Sequence, residues 1–360
     1  MTRRKILLLT PSLRGGGAER VMSQLARHLN RKKIEIHLAL VKKEGPYLKD
    51  IPTEVVIHDL KAGRVRRAFW PLLKLLWTLR PHAVLSTLGH LNIALTMIQP
   101  FLPPGTKILI RESNTVSEAL RETHTPLCWG FLYKLFYRHA NRIICQSVYM
   151  QKDLEQHFRV PSHLITQIYN PVDIEYLQKR AHEEENPFVS HERRLNIVGV
   201  GRLEKQKGFR RLIEMMPYVL ARQPHAHLWI LGEGRLHYDL EKLAAQKNLS
   251  EHVHLPGFQE NPWVWLKHAD LFVLSSEYEG LPNALLEAIA LECPVAAVQN
   301  PGGTEEILRF CHLSNRYAPK LEWNDAWLDR APCARARQAL EKHFALSHII
   351  HQYAQILEHC

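Results

Sequence analysis

The chain has 360 residues, 46% hydrophobic and 23% charged, with a formal net charge of +11. That balance describes a globular chain and, at roughly 100–200 residues per domain, two domains. The six cysteines, at 128, 145, 293, 311, 333 and 360, show no paired spacing, which argues against a metal framework and suits reduced cytosolic thiols. Residues 1–173 hold 26 Lys and Arg against 12 Asp and Glu, net +14, whereas residues 174–360 are net −3. The N-terminal half therefore calls for an anionic partner: nucleic acid, a phospholipid surface or a phosphorylated acceptor.

The start, MTRRKILLLTPS, sets basic residues before an apolar run of about five, short of the 7–15 of a secretory signal, so Lys5–Thr10 reads as a strand. Leu13–Gly17 turns into a helix over 18–29. Glycines 15, 16 and 17 allow close backbone approach to a ligand, and the helix start offers free amides. A plain tight turn accounts for Gly15, Gly16 and Gly17 as well. The run is not GxGxxG, and no acidic residue completes a dinucleotide fingerprint.

Strands near 35–41 and 54–59 precede a helix over 64–79, whose Leu, Phe and Trp positions span roughly 220° where a core-facing stripe needs about 100°. Arg64, Arg66, Arg67, Lys74 and Arg80 beside Phe69, Trp70 and Trp77 suit an interfacial membrane contact, or a helix buried between sheet and neighbours. Residues 81–106 lack charge, but His82, His90, Asn92 and Gln99, then Pro100, Pro103 and Pro104, interrupt a membrane span. They read as a strand over 83–87 and a helix near 91–101. Strand 107–110 ends in RESN, which places Glu112 at a strand's carboxyl end, either facing a substrate or as a loop acid paired with Arg111. WGFLYKLFYRHA at 129–140 repeats the basic and aromatic theme.

Strand 142–146, helix 148–158 and strand 165–168 complete the first half. Residues 178–194 are polar and proline-interrupted, an exposed connection. Strands over 196–201, 227–231, 253–255, 271–275 and 294–298, separated by helix-length intervals, predict a second parallel sheet. Arg202 and Lys207 follow its first strand. GEG at 232–234 and PGF at 256–258 close the next two. After 271–275, Gly280 ends an acidic loop and Pro282 starts a helix, leaving Asn283 and Ala284 amides at its positive end. Glu279 and Glu287, with seven residues between them, project about 80° apart on a helix. Both can accept bonds from a ribose or sugar diol, although two solvated glutamates would show the same spacing. Gly302 and Gly303 form another turn, and a final helix is expected over 335–358.

EGLPNALLEA resembles the signature of the family 4 glycosyltransferases, nucleotide-sugar enzymes of the α/β GT-B fold, in which two doubly wound parallel-sheet domains face a cleft. The resemblance implies that Glu287 holds the nucleotide ribose and Glu279 faces the donor sugar. Gly280, Leu281 and Asn283 would line the same site. PSLRGGGAERV is similar to the family's N-terminal loop, which lies between donor phosphates and acceptor. YNPVD at 169–173 resembles its crossover, giving domains 1–173 and 174–334, with the last helix returning to the first. By the same resemblance Arg202 and Lys207 grip the donor pyrophosphate, Gly232 and Phe258 lie along the nucleotide, and Glu112 contacts acceptor or donor sugar.

The expected activity is retaining transfer from a nucleotide sugar, with UDP as the expected nucleotide, to a lipid-linked or surface-glycan acceptor at the cytoplasmic membrane face. No metal or other cofactor is expected, because two fixed cations stabilise the leaving group and the chain has no Asp-x-Asp, HExxH, GxSxG or Walker loop. No nucleic-acid module appears. The rivals are a non-catalytic partner subunit, or an epimerase or phosphorylase on the same fold. The chain departs from the family pattern at Glu292, where glycine is common, at Thr304, and over 308–333, which lacks a glycine-bearing loop.

Overall fold

Short apolar runs separated by helix-length segments cannot pair as hairpins, so they pair as parallel strands through crossovers. The structure, a computed structural model, describes residues 3–188 and 194–359. It divides into two compact units, Met1–Pro171 with Ser347–Cys360, and Val172–Leu346.

The first unit runs β1 (Arg4–Thr10), α1 (Gly17–His28), β2 (Ile34–Leu40), β3 (Val56–Asp59), α2 (Phe69–Leu79), β4 (Ala83–Thr87) and α3 (Gly89–Met97). It continues with β5 (Lys107–Arg111), α4 (Val116–Arg121), α5 (Pro126–Phe136), β6 (Arg142–Cys145), α6 (Val148–Phe158) and β7 (Ile165–Gln167). The strands form one parallel sheet ordered β3-β2-β1-β4-β5-β6-β7. Ile6, Leu7, Leu8 and Leu9 of β1 are wholly buried, as expected for a strand covered on both faces. The order reverses between β1 and β4, and open α/β sheets bind ligands beyond the carboxyl ends at such a point.

The second unit repeats the plan: α7 (Ile174–Ala181), β8 (Asn196–Val200), α8 (Phe209–Leu220), β9 (His227–Leu231), α9 (His237–Gln246), β10 (Val253–Gly257) and α10 (Pro262–His268). There follow β11 (Leu271–Leu274), α11 (Asn283–Ala290), β12 (Val295–Val298), α12 (Thr304–Phe310), β13 (Tyr317–Ala318) and α13 (Cys333–Phe344). Its sheet is ordered β10-β9-β8-β11-β12-β13, so the switch point falls between β8 and β11. The sixth strand, β13, is absent from the sequence reading because two residues carry no periodicity.

Four expected elements differ. The helix over 64–79 is a 3-10 turn at Val65–Arg67 followed by α2, and the one near 91–101 is α3 plus a 3-10 turn at Gln99–Phe101. The connection at 178–194 starts inside α7, and Phe188 is buried with its ring 5.5 Å from that of Trp229 and 5.3 Å from that of Trp265. Residues 189–193 of that connection lie outside the described residues. The helix over 335–358 is two helices, α13 and α14 (Leu346–His359), broken at Ala345, whose backbone is extended. Only α14 belongs to the first unit.

Within the first unit the buried Arg111, at the end of β5, ties α14 to the sheet. Its Nε donates to Tyr353 Oη at 3.1 Å, its Nη1 donates to Thr87 Oγ1 at 3.3 Å, and its Nη2 donates to Asn170 Oδ1. A buried cation must have its donors met, because each unmet one forfeits its solvation. Tyr353→Phe should therefore cost about 1–3 kcal/mol in urea unfolding. Unchanged stability would show that the hydroxyl does not carry the tether.

Candidate functional site

In the second unit the loop after β8 is clipped onto the loop after the neighbouring β11. Gln206 Nε2 donates to the Tyr278 carbonyl at 3.0 Å, and the Glu277 N–H donates to the Gln206 carbonyl at 2.7 Å. Ser275 Oγ donates to the Lys207 carbonyl at 2.8 Å. Gly208 permits this approach: its φ is 61°, and a Cβ there would lie 2.1 Å from the Ser275 carbonyl oxygen. The clip sets Lys207 Nζ 2.6 Å from Glu279 Oε1, an oxygen that also accepts Ser276 Oγ–H at 2.6 Å.

The loop after β12 closes on the same residue. The Glu279 N–H donates to the Pro301 carbonyl at 2.9 Å, and the Gly303 N–H donates to the Gly280 carbonyl at 2.8 Å. At Gly302, with φ 132°, a Cβ would stand 2.1 Å from the Glu279 carbonyl oxygen, so a side chain there would push the loop away. Three strand-end loops thus meet at one residue, Glu279.

Of the residues expected from sequence, Lys207 and Glu279 touch directly, and Arg202 joins through Gln206, whose Oε1 accepts from its Nη2 at 3.4 Å. Gly280 and Leu281 are buried in the same loop. Asn283, not Pro282, is the first helical residue of α11, because Pro282 is the N-cap with extended backbone. Glu287 is buried one turn further on and accepts the Trp263 Nε1–H at 2.9 Å, a partner separate from the Lys207 contact. Gly232 follows β9, its N–H donating to the Gly257 carbonyl at 2.9 Å, and Phe258, next to Gly257, is exposed.

In the first unit the glycine loop follows β1, with Gly17 opening α1. Two amides ahead of the helix are already taken. Glu19 reaches back so that its Oε2 accepts the Gly15 N–H at 3.2 Å and the Gly16 N–H at 3.0 Å, while its Oε1 accepts Ser12 Oγ–H at 2.6 Å. Glu19 lies three residues past the N-cap Gly16, the position from which a glutamate reaches back to the N-cap amide, although glycine has no side chain to complete the reciprocal half.

Glu112 sits at the carboxyl end of β5 and turns inward. It is 2% exposed; its Oε1 accepts the Tyr137 hydroxyl and Asn92 Nδ2–H, the latter at 3.1 Å, and the Ser113 N–H adds a backbone bond. Neither a pair with Arg111 nor an open loop position describes it: the Arg111 guanidinium bonds elsewhere. Burial pushes the Glu112 carboxyl up to about 7, against the pull of those donors. The folded state therefore holds the proton more tightly than the unfolded chain. This contribution is complete below the unfolded carboxyl's range, near 4.5, and is lost as pH rises through about 7. Relative to Glu112→Gln, the native protein should lose on the order of 3 kcal/mol of unfolding free energy between those pH values. Parallel pH profiles would contradict a raised carboxyl.

Sequence reasoning missed Ser276, Gln206, Glu19 and Trp263. The serine lies just before the acidic loop, but nothing in residue type alone marks the glutamine or the tryptophan as partners of charged groups.

Two family models match, one described as Glycosyltransferase Family 4 over residues 15–176 and one as Glycosyl transferases group 1 over residues 181–315. The chain is 30% identical over 319 residues to the N-acetylgalactosamine-N,N'-diacetylbacillosaminyl-diphospho-undecaprenol 4-alpha-N-acetylgalactosaminyltransferase of Campylobacter jejuni, covering 84% of this chain and 83% of that protein. It is also 30% identical to an uncharacterized glycosyltransferase of Methanocaldococcus jannaschii, covering 68% of this chain and 62% of the relative. Among solved structures, HepE of Anabaena in complex with UDP-glucose superposes with a TM-score of 0.82 at 16% identity, covering 99% of this chain and all of that one. WaaG, a glycosyltransferase involved in lipopolysaccharide biosynthesis, gives 0.72 at 14% identity, covering 99% of this chain and 100% of that chain. Matched by one family model on each half and by a relative over most of its length, the chain belongs to the family 4 glycosyltransferases and has their GT-B fold.

Proposed function

We propose that this glycosyltransferase uses a nucleoside-diphosphate sugar, with UDP as the nucleotide, and retains configuration at the transferred carbon. The observation that carries the reading is the Lys207–Glu279 contact at the β8/β11 switch point, beside exposed Arg202. Lys207 and Arg202 place fixed positive charge where a diphosphate leaves, which stabilises the charge that develops as the glycosidic bond breaks. Glu279, held by Ser276, accepts from a hydroxyl of the donor sugar, and Glu287 accepts from the ribose. The two cations supply the charge without a metal. The naming of HepE's ligand as UDP-glucose supports a uridine donor.

The acceptor in this reading is a lipid-linked or surface glycan, in keeping with the diphospho-undecaprenol named for the Campylobacter relative. Among the described residues no helix is long and apolar enough to cross a membrane. The first unit instead exposes apolar side chains beside cations. On α2, Trp70 is 73% exposed and Trp77 47%, with Lys74 exposed on the same helix and Arg66 and Arg67 exposed just before it. On α5, Leu127, Phe131 and Leu135 are exposed at four-residue spacing, flanked by exposed Lys134 and Arg138. Indoles and cations so placed suit the boundary of an anionic bilayer.

Lys207→Ala should lower kcat for sugar transfer by about 10²–10³-fold, with wild-type turnover unchanged by EDTA. Full activity in the variant, or loss of activity to the chelator, would contradict the proposed chemistry. In flotation with anionic vesicles, the triple variant Arg66→Ala, Arg67→Ala, Trp70→Ala should stay at the bottom of the gradient. Floating as well as wild type would remove α2 as the anchor.

A further inference from the structure

Beneath Glu287 lies an indole that no part of the proposed chemistry has used. Trp263, one residue into α10, is 2% exposed, and its Nε1–H donates to Glu287 Oε2 at 2.9 Å. Tryptophan offers one donor and no acceptor, so this bond has a single direction.

The indole is itself held. Tyr176 of α7 packs edge-on against it with ring centroids 5.6 Å apart, and the Arg180 guanidinium lies 5.8 Å from its ring centroid. Asn261, the N-cap of α10, donates from Nδ2 to the Arg180 carbonyl at 2.8 Å and to Glu184 Oε1 at 2.9 Å. The contacts therefore run from α7 through α10 to one carboxylate on α11.

We infer that Trp263 is a positioning residue: its N–H fixes the Glu287 carboxylate so that the ribose diol of a nucleoside diphosphate meets an acceptor already in place. This rests on the proposed reading of Glu287 as the ribose ligand. A glutamate has three rotatable bonds. Unheld, it loses that freedom on binding, and the loss subtracts from the affinity of the bonds to the diol. Held by Trp263, most of the loss is met in folding. The consequence is specific: the indole matters for a nucleotide that carries the ribose hydroxyls and not for one that lacks them.

Calorimetric titration with UDP and GDP, each beside its 2′,3′-dideoxy counterpart, tests this on wild type, Trp263→Phe, Glu287→Ala and the double variant. Phenylalanine keeps an aromatic ring against Tyr176 and Arg180 and removes only the donor and the second ring. The expected result is that Trp263→Phe weakens the ribonucleotide that wild type binds by about five- to tenfold, leaves its dideoxy form unchanged, and adds nothing to Glu287→Ala. Equal weakening of both forms would mean the indole only supports the fold, and no weakening of either would mean it does not act; both overturn the inference while the ribose role of Glu287 stands. If Glu287→Ala itself leaves the preference for ribose intact, the reading of Glu287 falls, and the inference with it.

Discussion

The second unit depends on a buried ion pair being affordable. Lys207 and Glu279 side chains are only 19% and 7% exposed, and charges so far from water are tolerated only when paired and hydrogen-bonded. The Glu279 oxygen that takes the ammonium also takes the Ser276 hydroxyl, and the backbone on both sides is pinned by Gln206, Ser275 and Pro301. Removing one partner would leave the other charge buried without compensation, which costs more than the pair itself contributes. The glycines at 208 and 302 follow from this, since any side chain there would drive apart the loops that hold the pair. Under the proposed function the same pair is the working part: a diphosphate competes for Lys207 as Glu279 turns to the sugar.

The first unit meets the same constraint with different groups. Arg111 is wholly buried with neutral partners, Tyr353, Thr87 and Asn170, and Glu112 next to it is buried with Tyr137 and Asn92. Asn92 also accepts from Ser86 at 2.6 Å, and Gln146 links the Glu112 carbonyl, at 2.6 Å, to Asn170 Nδ2, at 3.0 Å. The carboxyl ends of β4, β5 and β6 are thereby joined in one polar network. Such networks are costly when incomplete and rigid when satisfied. Glu112 braces this network from within, while Glu19 does the equivalent for the glycine loop.

Most of the fold was legible because parallel strands covered on both faces must be short apolar runs, and β1, β4 and β11 are such runs. The family motif placed Lys207 and Glu279, and the structure brings them into contact. The break at Ala345 was not legible, because apolar positions 340, 344, 349, 350, 353 and 357 read as one helix. The orientations of Glu112 and Glu19, and the indole under Glu287, were not legible. Each is decided by a partner distant in the chain or by a local bond competing with ligand binding, and neither is a property of residue type. Glu292 shows how a departure from the family pattern is absorbed. It keeps the left-handed backbone, φ 56°, that glycine would adopt freely after α11, and its carboxylate pairs with Arg337 at 2.9 Å.

Under the proposed function Lys207 and Glu279, in the loops after β8 and β11, and Glu287 of α11 form a nucleoside-diphosphate site. The most direct measurement is thermal unfolding of wild type and of Lys207→Ala with saturating UDP, GDP or ADP. One diphosphate, UDP, should stabilise wild type by about 2.7 kcal/mol at 100 times its dissociation constant, and Lys207→Ala should lose most of the shift. No stabilisation by any of the three, or an equal shift in the variant, would contradict it.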